Sequence, residues 1–227
     1  MKIGIYDPYL DTVGGGERYC LTLAEDLSRN HQVEIFWDKD DLKDEIKKRL
    51  AIDLDKISFV SNIFSRRGNF LEKLKKTSQY DLIFYLSDGS IPLTFAKRNI
   101  LHFQVPFSKI NGKTLVNKLK LSRFANIICN SSFTKSVIDR NYGVNSQVIY
   151  PPVDISNFAV GKKENYILTV GRFTGLFGGK KQEMMIDIFK KIVDSGLKDW
   201  EFVLIGGLIE NDKDYFGKLK KQITGYP

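Results

Sequence analysis

The sequence predicts an α/β fold built on a mainly parallel sheet, and three observations carry that prediction. Short apolar runs rich in Ile, Val and Phe recur along the 227 residues, at 3–6, 32–37, 57–60, 81–86, 99–103, 126–129 and 147–150. Amphipathic helical patterns separate many of them, which is the alternation expected of βαβ units. Two of the strands run directly into glycine-rich loops that open a helix, at residues 13–16 and 171–179.

Taken in order, residues 3–6 form the first strand, and the glycine turn leads into a helix through Leu27. Tyr19, Leu23 and Leu27 on that helix are spaced by four and share one face. A second strand at 32–37 precedes a charged, exposed helix at 41–50 and a third strand at 57–60. Further buried strands follow at 81–86, 99–103 and 126–129. The last of these leads into a helix at 132–140, for which Ser131 or Ser132 is the N-cap. A strand at 147–150 is closed by Pro151 and Pro152, which donate nothing to a ladder. The polar stretch at 161–164 reads as a linker, so the expected domains are 1–160 and 161–227. The second contains a strand at 166–170, the glycine loop, a helix at 182–193, a strand at 201–205 and a helix at 212–223. A lone β-α-β-α piece leaves two bare sheet edges, so this second domain reads as unfinished.

Bulk properties narrow the function classes. Hydrophobic residues make up 42% and charged residues 27%, which argues against disorder. No apolar run approaches the roughly 18 residues of a spanning helix, and the opening MKIGIY is too short for a signal segment. Cys20 and Cys129 are too few and too far apart for a disulfide framework or a zinc cluster, and read as packed thiols. The expected location is cytoplasmic, with peripheral attachment to the inner membrane face as an addition. The net charge of +8 is concentrated: from Lys97 to Arg140 there are nine cations and one acid, Asp139. Such a stretch on a neutral background points to an anionic partner surface. Nucleic acid is disfavoured, because the aromatic residues among these cations (Phe103, Phe107, Phe124 and Phe133) read mostly as core.

Three motifs are candidates for chemistry. Gly14, Gly15 and Gly16 lie between the first strand and its helix, where backbone amides and a helix N-terminus favour a phosphate, or where they simply make a tight turn. They do not fit the dinucleotide fingerprint, since Tyr19 fills its third glycine position. Gly171-Arg172-Phe173 followed by Gly179-Lys180-Lys181-Gln182 combines a planar guanidinium with point charges at a helix start. The bland reading is a solvated loop. His102 and Gln104, in Leu101–Phe107, have the same side-chain parity at the end of a buried strand. A lone His in this setting is more often a core residue than a catalyst.

The order GGGER, HFQVPF, ICNSSFTK, IYPPVD and ILTVGRF…KKQ resembles the family-4 glycosyltransferases along essentially the whole chain. The resemblance implies the GT-B fold: a complete N-terminal Rossmann-like domain on the acceptor side, and here the first part of a second one on the donor side. It implies a nucleotide-diphosphate sugar as co-substrate, no cofactor or obligatory metal, a glycan or lipid-linked acceptor, and transfer with retention. Gly14, Gly15 and Gly16 then match the loop near the donor diphosphate. Arg172 and Lys181, with Lys180 as the neighbouring alternative, match the basic pair on the donor phosphates. The family often has a His in a His-x-Pro setting near the reaction centre. Here Gln104 stands two before Pro106 and His102 four before it, so either could face the sugar. The family's Glu-x7-Glu pattern is not found after Arg172, which implies a chain truncated within the donor domain. A non-catalytic membrane- or glycan-binding module derived from such an enzyme is the alternative.

In this frame residues 112–123 are expected to form a helix with Leu115, Val116 and Leu119 toward one side. Lys113 and Lys120 would point away from it, with Lys118 and Arg123 on its flanks. These four cations are the candidate contacts for membrane or acceptor, although a solvated helix face is an equal reading.

Overall fold

The computed structural model describes residues 1–39, 41–64, 69–156, 158–175, 179–208 and 210–227. The chain divides into two compact units, Met1–Ile155 and Ser156–Pro227.

In the first unit the strands are β1 (Lys2–Tyr6), β2 (Gln32–Phe36), β3 (Ile57–Val60), β4 (Leu82–Leu86), β5 (Arg98–Phe103), β6 (Asn126–Cys129) and β7 (Gln147–Val148). The helices are α1 (Gly15–Ser28), α2 (Lys43–Leu50), α3 (Phe70–Thr77), α4 (Leu115–Leu121) and α5 (Ser132–Tyr142). All seven strands pair in parallel, in the order β3-β2-β1-β4-β5-β6-β7. β2 lies on one side of β1 and β4 on the other. The strand order therefore reverses between β1 and β4, and in open α/β sheets the crevice at the carboxyl ends of such strands is where ligands bind.

Side-chain alternation gives the sheet two apolar faces, as a parallel sheet covered on both sides requires. Ile3, Ile5, Val33, Ile35, Phe84 and Leu86 pack with Tyr19, Leu21 and Ala24 of α1 and Ile46 of α2. Ile83, Tyr85, Leu101 and Phe103 pack with Leu121 of α4 and Ile138 and Tyr142 of α5. Cys20 and Cys129 are free thiols, both buried. Ser131, in extended conformation, is the N-cap of α5, accepting from Thr134 N at 3.1 Å.

α3 has no counterpart among the expected elements. Its sequence, FLEKLKKT, leaves Phe70 and Leu71 exposed and buries Thr77, which is tied by its hydroxyl to Lys73 O. α4 is shorter than the expected helix, and the structure shows which way its stripe faces. Leu115, Val116 and Leu119 are 75%, 62% and 65% exposed, while Leu121 is 8% exposed and sits in the core beside Phe124. The helix thus turns Leu121 inward and its longer apolar stripe outward, with Lys120 half-buried. Among the described residues no helix is long and apolar enough to cross a membrane.

The second unit has β8 (Tyr166–Val170) paired in parallel with β9 (Glu201–Ile205), and helices α6 (Gln182–Asp194) and α7 (Lys213–Gln222). Phe173, Ile186, Phe189, Phe202 and Leu219 form its core. Residues of both strands, including Leu168, Val170 and Ile205, remain exposed.

Candidate functional site

In the first unit the crevice is built from residues that follow the carboxyl ends of β1, β5 and β6. Val13, in the left-handed region at φ 42°, turns the chain into the glycine loop, and Gly14 caps α1 in extended conformation. Glu17 closes the loop from within. Its Oε2 accepts from Gly14 N and from Thr12 Oγ1, each at 2.6 Å. This is the acidic half of a capping box, and it sets a carboxylate at the positive end of the α1 dipole. The buried acid thus takes the amide that precedes the helix.

The three glycines have different neighbours. A Cβ on Gly14 would stand 3.0 Å from Glu17 Oε2, and one on Gly16 would stand 2.7 Å from Gln104 Oε1, whereas one on Gly15 would meet nothing within 4 Å. Gly15 is the open member of the loop. Gln104 is locked beside it, its Nε2 donating to Gly16 O at 3.0 Å and its own carbonyl accepting from Asn130 Nδ2 at 3.0 Å.

His102 lies on the same face of β5 but below the rim. It is 0% exposed, stacked on Tyr19 at 4.3 Å between ring centroids and lying 5.4 Å from Phe84. Burial pushes its imidazole down to about 4, only partly opposed by the Ile128 backbone, so it is neutral at neutral pH. Of the two candidates at this strand end, Gln104 reaches the glycine loop and His102 packs beneath it. Parity placed both on one face, and burial separates them.

Three further polar residues, Asp7, Asn130 and Glu17, complete this rim. Asp7, directly after β1, is 1% exposed; its Oδ1 accepts from Tyr9 N at 2.9 Å and its Oδ2 has no hydrogen-bond partner. Burial pushes its carboxyl up to about 7, with the nearby Glu17 adding to the effect. Asn130, after β6, keeps its Oδ1 buried without a partner. Glu17 carried a signal, since an acid three residues into a helix after a cap is the capping-box pattern. Asp7 and Asn130 carried only their position just past a strand.

In the second unit, Arg172 follows β8, and Lys180 and Lys181 precede α6. All three are exposed, and none makes an ion pair among the described residues. Lys181 caps α6 in the left-handed region, at φ 61°. The stem of Lys180 lies against Gly171, where a Cβ would come within 2.8 Å of its Cγ. The scaffold beneath these cations is polar and buried. Gln182, 1% exposed, donates through Nε2 to Arg172 O at 2.9 Å and accepts from Tyr215 Oη at 3.3 Å. Asp212 accepts from Thr174 Oγ1 and Gly175 N. Residues 176–178 of this glycine loop, Gly178 among them, lie outside the described residues. A strand end, a helix start and three cations held over a fixed backbone make an arrangement suited to a diphosphate. Among the described residues, no group of three or more His, Cys, Asp or Glu side chains stands together as a metal cage.

Lys113, Lys118 and Arg123 are exposed around α4, with Lys113 packed over Gly143 and Arg123 lying 5.8 Å from the centre of the Phe95 ring.

Comparison with known proteins agrees with this fold. The model for Glycosyltransferase Family 4 matches residues 13–157. A glycosyltransferase from Rickettsia africae superposes with a TM-score of 0.68 at 19% identity, over 98% of this chain and 64% of that one. HepE of Anabaena, solved in complex with UDP and glucose, superposes with a TM-score of 0.60 at 18% identity, over 99% of this chain and 66% of that one. The chain thus spans less than two thirds of the length of either. No curated protein sequence matches it.

Proposed function

The chain belongs to glycosyltransferase family 4, and on that premise we propose that it takes part in moving a sugar from a nucleoside-diphosphate donor to a glycan or lipid-linked acceptor, with retention at the anomeric carbon. The observation that carries the donor reading is the trio of exposed cations, Arg172, Lys180 and Lys181, at the carboxyl end of β8 and the start of α6. In this reading Arg172 grips the phosphates through its planar fork and Lys181 adds a point charge. Together they stabilise the diphosphate as it leaves, so that negative charge develops against fixed cations. Gln182 holds the Arg172 backbone in place for that task.

In the first unit Gly15 and Gln104 would bound the acceptor side, and the attacking hydroxyl belongs to the acceptor. The bound UDP and glucose of HepE support a nucleotide sugar as the donor class. Calorimetric titration with UDP, GDP and ADP tests the donor half. One of the three is expected to bind, with affinity falling roughly tenfold to a hundredfold in Arg172→Ala, the worth of a charge-assisted hydrogen bond. No heat with any of them, or an Arg172→Ala variant as tight as its parent, removes the phosphate role.

A further inference from the structure

The start of α7 grips the cation-bearing loop of the second unit through three side chains. Asp212 directly precedes the helix and is 5% exposed, yet its carboxylate makes no capping bond to α7. It accepts instead from Thr174 Oγ1 at 3.3 Å and from Gly175 N at 3.4 Å. Three residues on, the Tyr215 ring lies against the same stretch, so close that a Cβ on Gly175 would stand 3.1 Å from its Cδ2. The Tyr215 hydroxyl donates to Gln182 Oε1 at 3.3 Å, and Gln182 donates in turn to Arg172 O at 2.9 Å. Phe216 adds an edge-on contact with the buried Phe173 ring, at 4.9 Å between centroids.

These contacts fix the loop residue by residue. Gly171 and Phe173 extend the parallel ladder, their amides donating to Ile205 O at 2.8 Å and to Gly207 O at 2.9 Å. With Phe173 turned into the core, the extended backbone turns Arg172 to solvent. Every residue from 171 to 175 thus has a hydrogen-bond partner, while Arg172, Lys180 and Lys181 make no ion pair among the described residues. Gln182 opens α6 directly after Lys181, so the chain Tyr215–Gln182–Arg172 ties together the two limbs that carry the cations. An Asp at a helix start ordinarily caps that helix and so stabilises the fold. Here the carboxylate serves the loop instead.

We propose that Asp212 and Tyr215 are positioning residues for the donor phosphates: the first turn of α7 sets the loop that holds Arg172 and Lys181 at a fixed spacing, and it acts through Gly175, Thr174 and Gln182. The proposal rests on the donor reading of this loop. Its physical ground is that a ligand site needs its charges held in place, since a displacement of about 1 Å can cost about a hundredfold.

The test is calorimetric titration of the whole chain with UDP, GDP and ADP, each set beside its nucleoside (uridine, guanosine or adenosine), which has no phosphate. For the diphosphate that binds, Tyr215→Phe should weaken affinity by about fivefold, the worth of one hydrogen bond. Asp212→Ala removes the acceptor of two hydrogen bonds and should weaken it by about tenfold to thirtyfold. Asp212→Asn keeps an accepting oxygen and should bind within about twofold of the parent. Adding Tyr215→Phe to Gln182→Met should cost nothing further, because the hydroxyl acts through Gln182. The matching nucleoside should bind all the variants as it binds the parent, since it offers the cations no phosphate.

Variants as tight as the parent overturn this proposal and leave the donor reading intact. An equal loss for diphosphate and nucleoside overturns it as well, since that marks a general loosening of the unit. So does an Asp212→Asn chain as weak as Asp212→Ala. If Asp212→Ala fails to fold by circular dichroism, Tyr215→Phe decides, because it removes a single oxygen atom. A parent that binds none of the three diphosphates removes the donor reading and this proposal with it.

Discussion

The two units each carry a strand, a glycine-rich loop and a helix, yet the loops are filled in opposite ways. In the first, the helix start is satisfied from inside: Glu17 takes the amide of Gly14 and the hydroxyl of Thr12, and Asp7 lies buried close by. In the second, the corresponding turn is held by neutral Gln182 and by the buried acid Asp212, and three exposed cations stand around it. Two loops of the same glycine-rich kind therefore have opposite electrostatic character. Glycines let a ligand approach, but the charges around them decide which ligand does.

The largest test of this contrast is the buried acid. Asp7 has a carboxyl near 7 when folded and near 3.8 when exposed. Between those values the folded state holds a proton that the unfolded state has lost, so stability falls as pH rises through that window. Asp7→Asn removes the penalty. Its gain over the parent in denaturant unfolding should grow from nothing near pH 4 to about 4 kcal/mol at most above pH 7. A gain that does not depend on pH would mean that Asp7 is ionised in the fold. Next, Glu17→Ala should cost about 2 kcal/mol by the same measurement, because it removes the partner of a helix-capping amide and of a hydroxyl. If the Glu17→Ala chain binds a nucleoside diphosphate more tightly than its parent, the two loops differ only through that one carboxylate.

Gly16→Ala forces Gln104 aside, since a Cβ there would meet Oε1 at 2.7 Å. It should cost about 1 kcal/mol, and the added Gln104→Ala change should recover most of that in a double-mutant cycle. The smallest effect belongs to the second loop. Lys181→Gly relieves a left-handed backbone and should stabilise that unit by up to about 1 kcal/mol, while removing one phosphate cation. Stability and nucleotide affinity should therefore move in opposite directions, and a variant that gains both would place Lys181 outside the phosphate site.

What the sequence disclosed follows the physics of each element. β3, β6, β8 and β9 are found at the expected residues, because a parallel strand is a short apolar run. α3 was hidden because its apolar residues Phe70 and Leu71 face outward, so no buried stripe marks it. Its legible trace was Asn69, the cap that accepts from Leu71 N. For α4 the periodicity gave the stripe correctly but not the side it faces, which Leu121 and Phe124 decide through contacts distant in sequence. The basic trio of the second loop was legible as charge. Gln182, Asn130 and Asp7 were not, since a polar residue acquires such a role only when folding buries it beside a particular neighbour. His102 and Gln104 had identical parity, and only the depth of the sheet distinguishes them.

The arrangement of β1 bears on how the first unit is made. β2 follows β1 after some thirty residues, but its other neighbour, β4, begins only at Leu82, and the amide of Lys2 is closed by the carboxylate of Asp81. Until the chain has extended past Leu82, β1 therefore carries one open side. Every pairing in this sheet spans a crossover, so assembly is dominated by distant contacts and is expected to be slow. During that interval the exposed edge is β1, which in the finished sheet lies inside it, between β2 and β4.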